Sequence, residues 1–247
     1  MGERIFLGIP ILNRLDLLEE CLDRIDVSAE ILIINNNGQD REFTRGLRRL
    51  GRDRGLHIRD QERNLGVAGS WNRILMTGMG WGYDLVFIGS NDTLLWPGSL
   101  QAALEAPKED EDVALWHIWY WSFFAMPLRT IPRVGWFDEN FYPAYKEDQD
   151  YSYRCRLAGM RRHWLNNDEV GADHLGSQTI RSDAHYFQKN AESHGAWNTP
   201  YYRQKWGGDA THERFRRPFD KADRDHRWWP DPARAHAEWD WGRGQGG

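Results

Sequence analysis

The sequence predicts an α/β protein, with a mostly parallel central sheet flanked by helices. Three observations carry that prediction. Short runs of Ile, Leu, Val and Phe recur through the first half of the chain and read as strands buried on both faces. Between them, apolar residues fall three and four apart, which marks one face of a helix. The loops that close the strands are polar, and in sheets of this kind ligands bind beyond the carboxyl ends of the strands.

Ile5-Phe6-Leu7-Gly8-Ile9 is the first strand and stops at Pro10. Asn13 is placed to cap the next helix, with Asp16 three residues on completing a capping-box-like pair. Leu15, Leu18, Leu22 and Ile25 form the buried face of that helix. Ile31-Leu32-Ile33-Ile34 is the second strand, ended by the turn signal Asn35-Asn36-Asn37-Gly38. Phe43, Leu47 and Leu50 mark a second helix, and Leu56-His57-Ile58-Arg59 a third strand. Residues 67–79 read as a helix after a glycine-containing loop. Leu85-Val86-Phe87-Ile88 is the next strand, followed by Gly89-Ser90-Asn91-Asp92, and Pro97 opens another helix. The pattern then changes. Residues 113–124 are strand-like and aromatic, 135–145 loop-like, 149–158 helical and 161–165 strand-like. Periodicity fades beyond about 176, and residues 180–247 read as an irregular or helical extension with a frayed glycine-rich end.

The 247 residues carry a net charge of −5 and are 40% hydrophobic, enough for a real core and unlike a general nucleic-acid binder. No apolar run approaches the ~20 residues of a membrane span. The N-terminus has no signal-peptide layout, so the expected location is cytoplasmic. Cys21 and Cys155 sit among apolar neighbours and are expected to be buried thiols.

The run Lys146-Glu147-Asp148-Gln149-Asp150 crowds three carboxylates between Phe141, Tyr142 and Tyr145 on one side and Tyr151 and Tyr153 on the other. Burying carboxylates beside rings raises a pKa and costs stability, which suits a base or a metal ligand. The competing reading is a solvated helix start, where acids interact well with the helix dipole.

These segments resemble the family 2 glycosyltransferases. GIPILNR resembles their first strand and loop, INNNGQD the turn after their second strand, and NLGVAGSWNRIL a helix start. LVFIGSNDTLLWPGSL is similar to their strand and acidic metal motif, VGWFDENFYPAYKEDQDYSYRCRLAGMR to their acidic catalytic signature, and ADHLGSQT to a late histidine element. The resemblance spans about residues 4–179. It implies a GT-A fold in which 1–105 binds a nucleotide-sugar, 106–179 forms the acceptor and catalytic half, and 180–247 packs on the core. It also implies a nucleotide-diphosphate sugar donor, with UDP expected, and inversion at the anomeric carbon.

By the same resemblance Asp148 is the acceptor base, Glu147 the second candidate, and Asp150 a residue that orients a neighbour, with Arg154 one turn on to hold it. Asp92 and His174 would hold a divalent cation, Mn2+ or Mg2+, with a lean to manganese. The family's usual metal motif has two acids, whereas this chain reads Ser90-Asn91-Asp92 and lacks one carboxylate. The donor crevice is expected to use Pro10, Asn13, Arg14, Asn36, Asn64, Gly66, Gly69, Asn72, Arg73 and Asn91, with Lys205 or Arg203 on a lid over the diphosphate. Trp136, Tyr142 and Tyr145 are the expected acceptor surface, while Trp116, Trp119 and Trp121 are stacking surfaces or core. The acceptor could be a glycan, a protein or a modified nucleobase, and self-association is left open. Two rival readings stand. A nucleotidyltransferase would carry a glycine-rich basic loop where this chain has ILNR. A non-catalytic nucleotide-sugar-binding protein would explain the missing carboxylate.

Overall fold

The computed structural model describes residues 5–106, 110–165 and 167–230, so the expected frayed end lies outside the described residues. The first half alternates as the sequence predicts: β1 (Phe6–Ile11), α1 (Leu15–Asp23), β2 (Glu30–Asn35), α2 (Arg41–Arg54), β3 (His57–Asp60), α3 (Gly66–Gly80) and β4 (Leu85–Gly89). Next come β5 (Thr93–Leu95), α4 (Ser99–Glu105), β6 (Val113–Trp119), β7 (Phe123–Pro127), α5 (Ile131–Val134), α6 (Glu147–Leu157), β8 (Arg161–Trp164) and β9 (Ala172–His174). Three helices follow: α7 (Gln178–Arg181), α8 (Ala184–Ser193) and α9 (Thr199–Trp206).

Seven strands form one sheet in the order β3-β2-β1-β4-β7-β6-β8. β1 to β4 run parallel, β7 is antiparallel to both its neighbours, and β8 returns parallel to β6. The single strand expected over 113–124 is thus a hairpin, turned at Tyr120, whose φ is 45°. An uninterrupted aromatic run carries no turn residue to reveal such a bend. β5 pairs antiparallel with β9 in a small second sheet. Among the described residues, no helix is long and apolar enough to cross a membrane.

Both sheet faces are covered, as uninterrupted apolar strands require. Leu7, Ile9 and Ile11 face α1, α2 and α4, while Phe6, Val86 and Leu115 face α3, α5 and α6. α3 lies directly on β1. A methyl group on Gly8 would come within 2.2 Å of Ile74, and one on Gly78 within 2.6 Å of Val86. β1 pairs with β4 only through Leu7 and Gly8, so the missing N–H of Pro10 breaks no bond on that side.

α2 shows its signals in the sequence. Asp40 accepts from the amides of Glu42 and Phe43 at its start, and Gly55 closes it at φ 70°. α1 departs from expectation, because Arg14 precedes it at φ 63° and no side chain caps it. The Asn13 amide donates instead to the Thr179 carbonyl at 3.1 Å, drawn off by a partner 166 residues away.

The extension is anchored by charge. The Lys205 ammonium lies 2.6 Å from both Asp138 and Asp150, with all three side chains buried. Asp150 also accepts from the Trp206 indole at 2.8 Å and pairs with Arg154 at 2.7 Å, the i,i+4 pair expected from sequence. Phe141, Tyr153, Tyr202 and Trp206 pack around this cluster. Lys205 is therefore an interior ion and not part of a lid, since two buried acids near the start of α6 leave it no route to solvent. Removing one member of a buried ion cluster costs more than the cluster contributes, because it strands the others without solvent. Replacing Lys205 with Met is expected to lower unfolding free energy by about 3–5 kcal/mol, read by urea denaturation.

Candidate active site

The carboxyl ends of β1, β2 and β4 bring the polar loops together at one end of the sheet. Beyond β4, Asp92 is buried, and its Oδ1 accepts from the Ser90 hydroxyl and lies 3.5 Å from His174 Nε2. Its Oδ2 accepts from the Gln178 amide at 3.1 Å. Burial opposes ionisation of Asp92, but His174, Ser90 and the Gln178 N–H outweigh it and hold the carboxyl below its usual range. His174 reaches it because Thr93 and His174 are register partners in the β5–β9 pair.

Asn91 does not aim at a ligand. Its Oδ1 accepts from the Thr179 hydroxyl at 3.0 Å, and its amide donates to the Asn13 carbonyl at 3.5 Å. Asn13, Asn91 and Thr179 thus staple the first loop, the β4 loop and α7 together. The buried Oδ1 of Asn13 has no hydrogen-bond partner, which leaves an acceptor for a ligand's donor. Arg14 is tied to the exposed Asp16 at 2.7 Å.

The second and third loops are also joined by amides. Asn36 donates to Ser70 at 2.8 Å and accepts from the Leu65 amide at 3.0 Å. Asn64 accepts from the Gly66 amide at 2.8 Å and donates to the Tyr186 hydroxyl at 3.3 Å. Gly66 and Gly69 do permit a close approach, but what approaches is protein. A methyl group on Gly66, at φ 69°, would lie 2.7 Å from the Pro143 carbonyl, and one on Gly69 3.1 Å from the Leu65 Cβ. Asn72 is spent on the same segment. It donates to the Phe137 carbonyl and to Glu139, and accepts from the Phe137 amide. Arg73 follows it, half-buried on α3.

A cavity of about 290 Å³ opens between these loops, lined by Leu12, Asn13, Asn37, Asn64, Tyr142 and Pro143. Its remaining wall is α8, with Asp183, His185, Tyr186 and Lys189. Tyr142, expected on the acceptor surface, borders this cavity. Trp136 is core, 8% exposed, and its backbone amide bonds to the Trp228 carbonyl. Trp116 is core as well.

The acidic run forms the first turn of α6. Tyr145 and Lys146 enter it at φ 77° and 81°, two consecutive residues in a region that suits glycine. Asn198 holds them there by donating to the carbonyls of Ala144 at 2.8 Å and Tyr145 at 3.2 Å. The three acids then have three environments. Asp150 is in the ion cluster; burial opposes its charge, but Arg154 and Lys205 keep its pKa low. Glu147 is buried, its Oε2 has no partner, and burial, with Asp148 nearby, pushes its pKa well up. Asp148 stays partly exposed and accepts from the Gln149 amide at 2.8 Å. Burial raises its pKa, opposed by the Gln149 N–H and its own N–H and by the charges of Lys146 and Arg162.

Only Asp148 therefore combines access with a raised pKa. Tyr145 is 41% exposed and stands near it, in edge contact with His194. Arg181 lies between the Gly176 turn and Tyr145. It lies within 3.5 Å of a methyl position on Gly176, beside His174, and its charge acts on Tyr145. Asn37, Arg181, Tyr186, Lys189 and Asn198 were not picked out by sequence reasoning. Asp138 lies in the GWFDEN stretch, where a buried acid between aromatics was a readable signal.

The Asp92–His174 pair suits an oxygen-preferring divalent cation in part. Among the described residues, no group of three or more His, Cys, Asp or Glu side chains is gathered to hold one. Asp92 offers an ionised oxygen. His174 Nδ1 accepts from the Gly176 amide at 3.2 Å, so the neutral ring carries its proton on Nε2, facing Asp92. Ligation through Nε2 requires that proton to leave and the Gly176 contact to open.

No protein-family model matches the chain. A galactofuranosyl glycosyltransferase of Leishmania donovani is 30% identical over 103 residues, a match covering 36% of this chain and 24% of that protein. The mannosyltransferase PcManGT of Pyrobaculum calidifontis, in complex with GDP-Man and Mn2+, matches with a TM-score of 0.60 at 17% identity, covering 84% of this chain and 65% of that one. S. aureus TarS in complex with UDP-GlcNAc matches with a TM-score of 0.54 at 12% identity, covering 82% of this chain and 75% of that one. A Drosophila β1,4-galactosyltransferase 7 complex with manganese, UDP-Gal and xylobiose matches at 0.50 with 16% identity, covering 73% and 74%. These likenesses show the fold: the chain has the GT-A architecture.

Gly66 couples the third loop to Pro143 and so sets the mouth of the cavity. Gly66→Ala adds both a clash and a strained φ, and is expected to lower stability by about 1–3 kcal/mol in thermal or urea unfolding.

Proposed function

We propose that the chain is an inverting family 2 glycosyltransferase that moves a sugar from a nucleotide-diphosphate donor, taken as a UDP-sugar, to an acceptor hydroxyl. The observation that supports it best is a pair of carboxylates with opposite protonation tendencies. Asp92 is held ionised where a diphosphate would lie, and Asp148 is held ready to take a proton. The printed ligands of the matched structures, GDP-Man, UDP-GlcNAc and UDP-Gal, support this donor class.

In this reading the nucleoside enters the cavity between Asn13, Asn37, Asn64 and α8, and Arg181 and Lys189 supply positive charge in the place first given to Lys205. The acceptor oxygen bonds to the anomeric carbon as the bond from that carbon to the diphosphate oxygen breaks. The acceptor proton passes to the Asp148 carboxylate, and the electron pair leaves with the nucleoside diphosphate. Attack opposite the leaving group inverts the centre. Asp92 and His174 are the residues that would hold Mn2+ or Mg2+, which supplies charge to the leaving diphosphate. Asn64 and Tyr186 hold the crevice wall, and Asn198 holds the strained turn that presents Asp148.

One observation favours a second reading, a nucleotide-sugar-binding protein without turnover. The metal motif has one carboxylate, and the Asn91 side chain is taken by Thr179. Donor hydrolysis separates the two. A thermal-shift panel of UDP- and GDP-sugars with manganese is expected to raise the melting temperature for at least one donor, with measurable hydrolysis of the same donor. No shift with any donor contradicts both readings, and a shift without hydrolysis favours the second.

Asp148→Asn is expected to lower turnover about 10²–10⁴-fold while leaving donor binding in place. Asp148 works only when ionised, and its pKa is raised in the folded protein. Activity is therefore lost as pH falls through that raised value, so the acid limb of kcat/KM lies above the ordinary aspartate value of about 4. An acid limb at or below that value removes Asp148 as the base.

A further inference from the structure

The edge of the sheet beside Asp148 carries an ordered aromatic surface with no role so far. β8 is the last strand of the sheet, and Arg162 and Trp164 share one of its faces, two residues apart. Their register partners on β6 are Leu115 and His117, and Leu115 lies in the core cluster that also holds Tyr151 of α6. This is therefore the face on which α6 packs. Trp164 stacks on His117 at 4.3 Å and meets Tyr120 edge-on at 4.9 Å. Trp164 is 40% exposed and Tyr120 57%.

Single exposed aromatics are ordinary, but here three independent features coincide. First, Tyr120 sits at φ 45°, where a bulky side chain is strained and Gly or Asn would be at ease. Second, His117 is buried and neutral, its pKa pushed down to about 4 by burial. It donates through Nδ1 to the Tyr120 carbonyl and accepts from Arg162 at Nε2, 3.4 Å away, so one ring fixes the hairpin tip, Trp164 and the guanidinium. Third, Arg162 is partly buried over Trp121, and among the described residues no carboxylate lies within ion-pair distance of it. Its charge reaches Asp148.

An arginine has donors and no acceptors, so the guanidinium N–H groups that His117 does not take suit a partner with acceptor oxygens. A flat exposed ring beside it suits a partner with an apolar face. A pyranose ring has both, C–H bonds on its face and hydroxyls around its rim. We propose that the Tyr120–Trp164 surface is the acceptor subsite and takes a saccharide, which lies on the aromatic rings, receives hydrogen bonds from Arg162, and points a hydroxyl at Asp148. The proposal rests on the transferase reading for the role of Asp148, but the saccharide site can be tested without turnover.

Saturation-transfer NMR on the full chain, using methyl glycosides of galactose, mannose and N-acetylglucosamine, and UDP and GDP as separate probes, makes the test. The wild type is expected to transfer saturation to the ring C–H protons of at least one glycoside. Trp164→Ala and Tyr120→Asn, the latter keeping a residue tolerant of the left-handed backbone, are expected to weaken that signal tenfold or more. Both should keep the nucleotide signal, and Tyr120→Asn, which relieves the strained backbone, should melt no lower than the wild type. Glycoside binding that survives both substitutions, or no binding of any of the three glycosides to the wild type, overturns the proposal. So does a wild-type dimer that Trp164→Ala converts to monomer with glycoside binding unchanged. If glycosides behave as expected but neither nucleotide binds the wild type, the saccharide site stands and the transferase reading fails.

Discussion

The rest of the site depends on one buried ion. The Lys205 ammonium, 2.6 Å from Asp138 and from Asp150, joins three parts of the chain that are distant in sequence: the loop before α6, the first turn of α6, and α9. Such clusters contribute little net stability but are costly to break, so they specify an arrangement more than they strengthen it. Here the arrangement sets the first turn of α6, and with it Asp148. Asn198, on the turn just before α9, reinforces the same position by holding the carbonyls of Ala144 and Tyr145. The extension is in this sense part of the site, not an appendage to it.

The carboxylates of the candidate site show how one fold sets opposite protonation tendencies. Burial acts against charge on all of them. At Asp92 and Asp150 hydrogen bonds and cations overcome it, while at Glu147 and Asp148 they do not. Glu147 is closed off and without a partner at Oε2, so access distinguishes Asp148 from its neighbour. A cluster of asparagines (Asn13, Asn36, Asn64 and Asn91) carries out most of the loop-to-loop joining that fixes the crevice.

The parallel half of the sheet was legible because its signals are local: a buried run, a helical period, a capping Asp40, a closing Gly55. The hairpin of β6 and β7 was not, because Tyr120 turns the chain without a turn residue. Asp148 and Asp92 were singled out by spacing and resemblance, and the fold gives them different electrostatic environments. The roles of Lys205, Trp136 and Asn72 were misread, because a polar or aromatic side chain looks the same in sequence whether it meets a ligand or a partner 67 residues away. The α8 wall was missed for a related reason. Its Asp183, Tyr186 and Lys189 show weak periodicity, since that helix buries its face against loops and not against the sheet.

In the proposed function the core loops and the extension form one nucleotide-binding crevice. Hydrogen exchange of the full chain, with and without UDP or GDP and manganese, tests it most directly. Binding is expected to slow exchange together in the loops around Asn13 and Asn37 and in α8 from Ala184 to Ser193. Slowing confined to the core loops, with α8 exchanging as in the free protein, would contradict it.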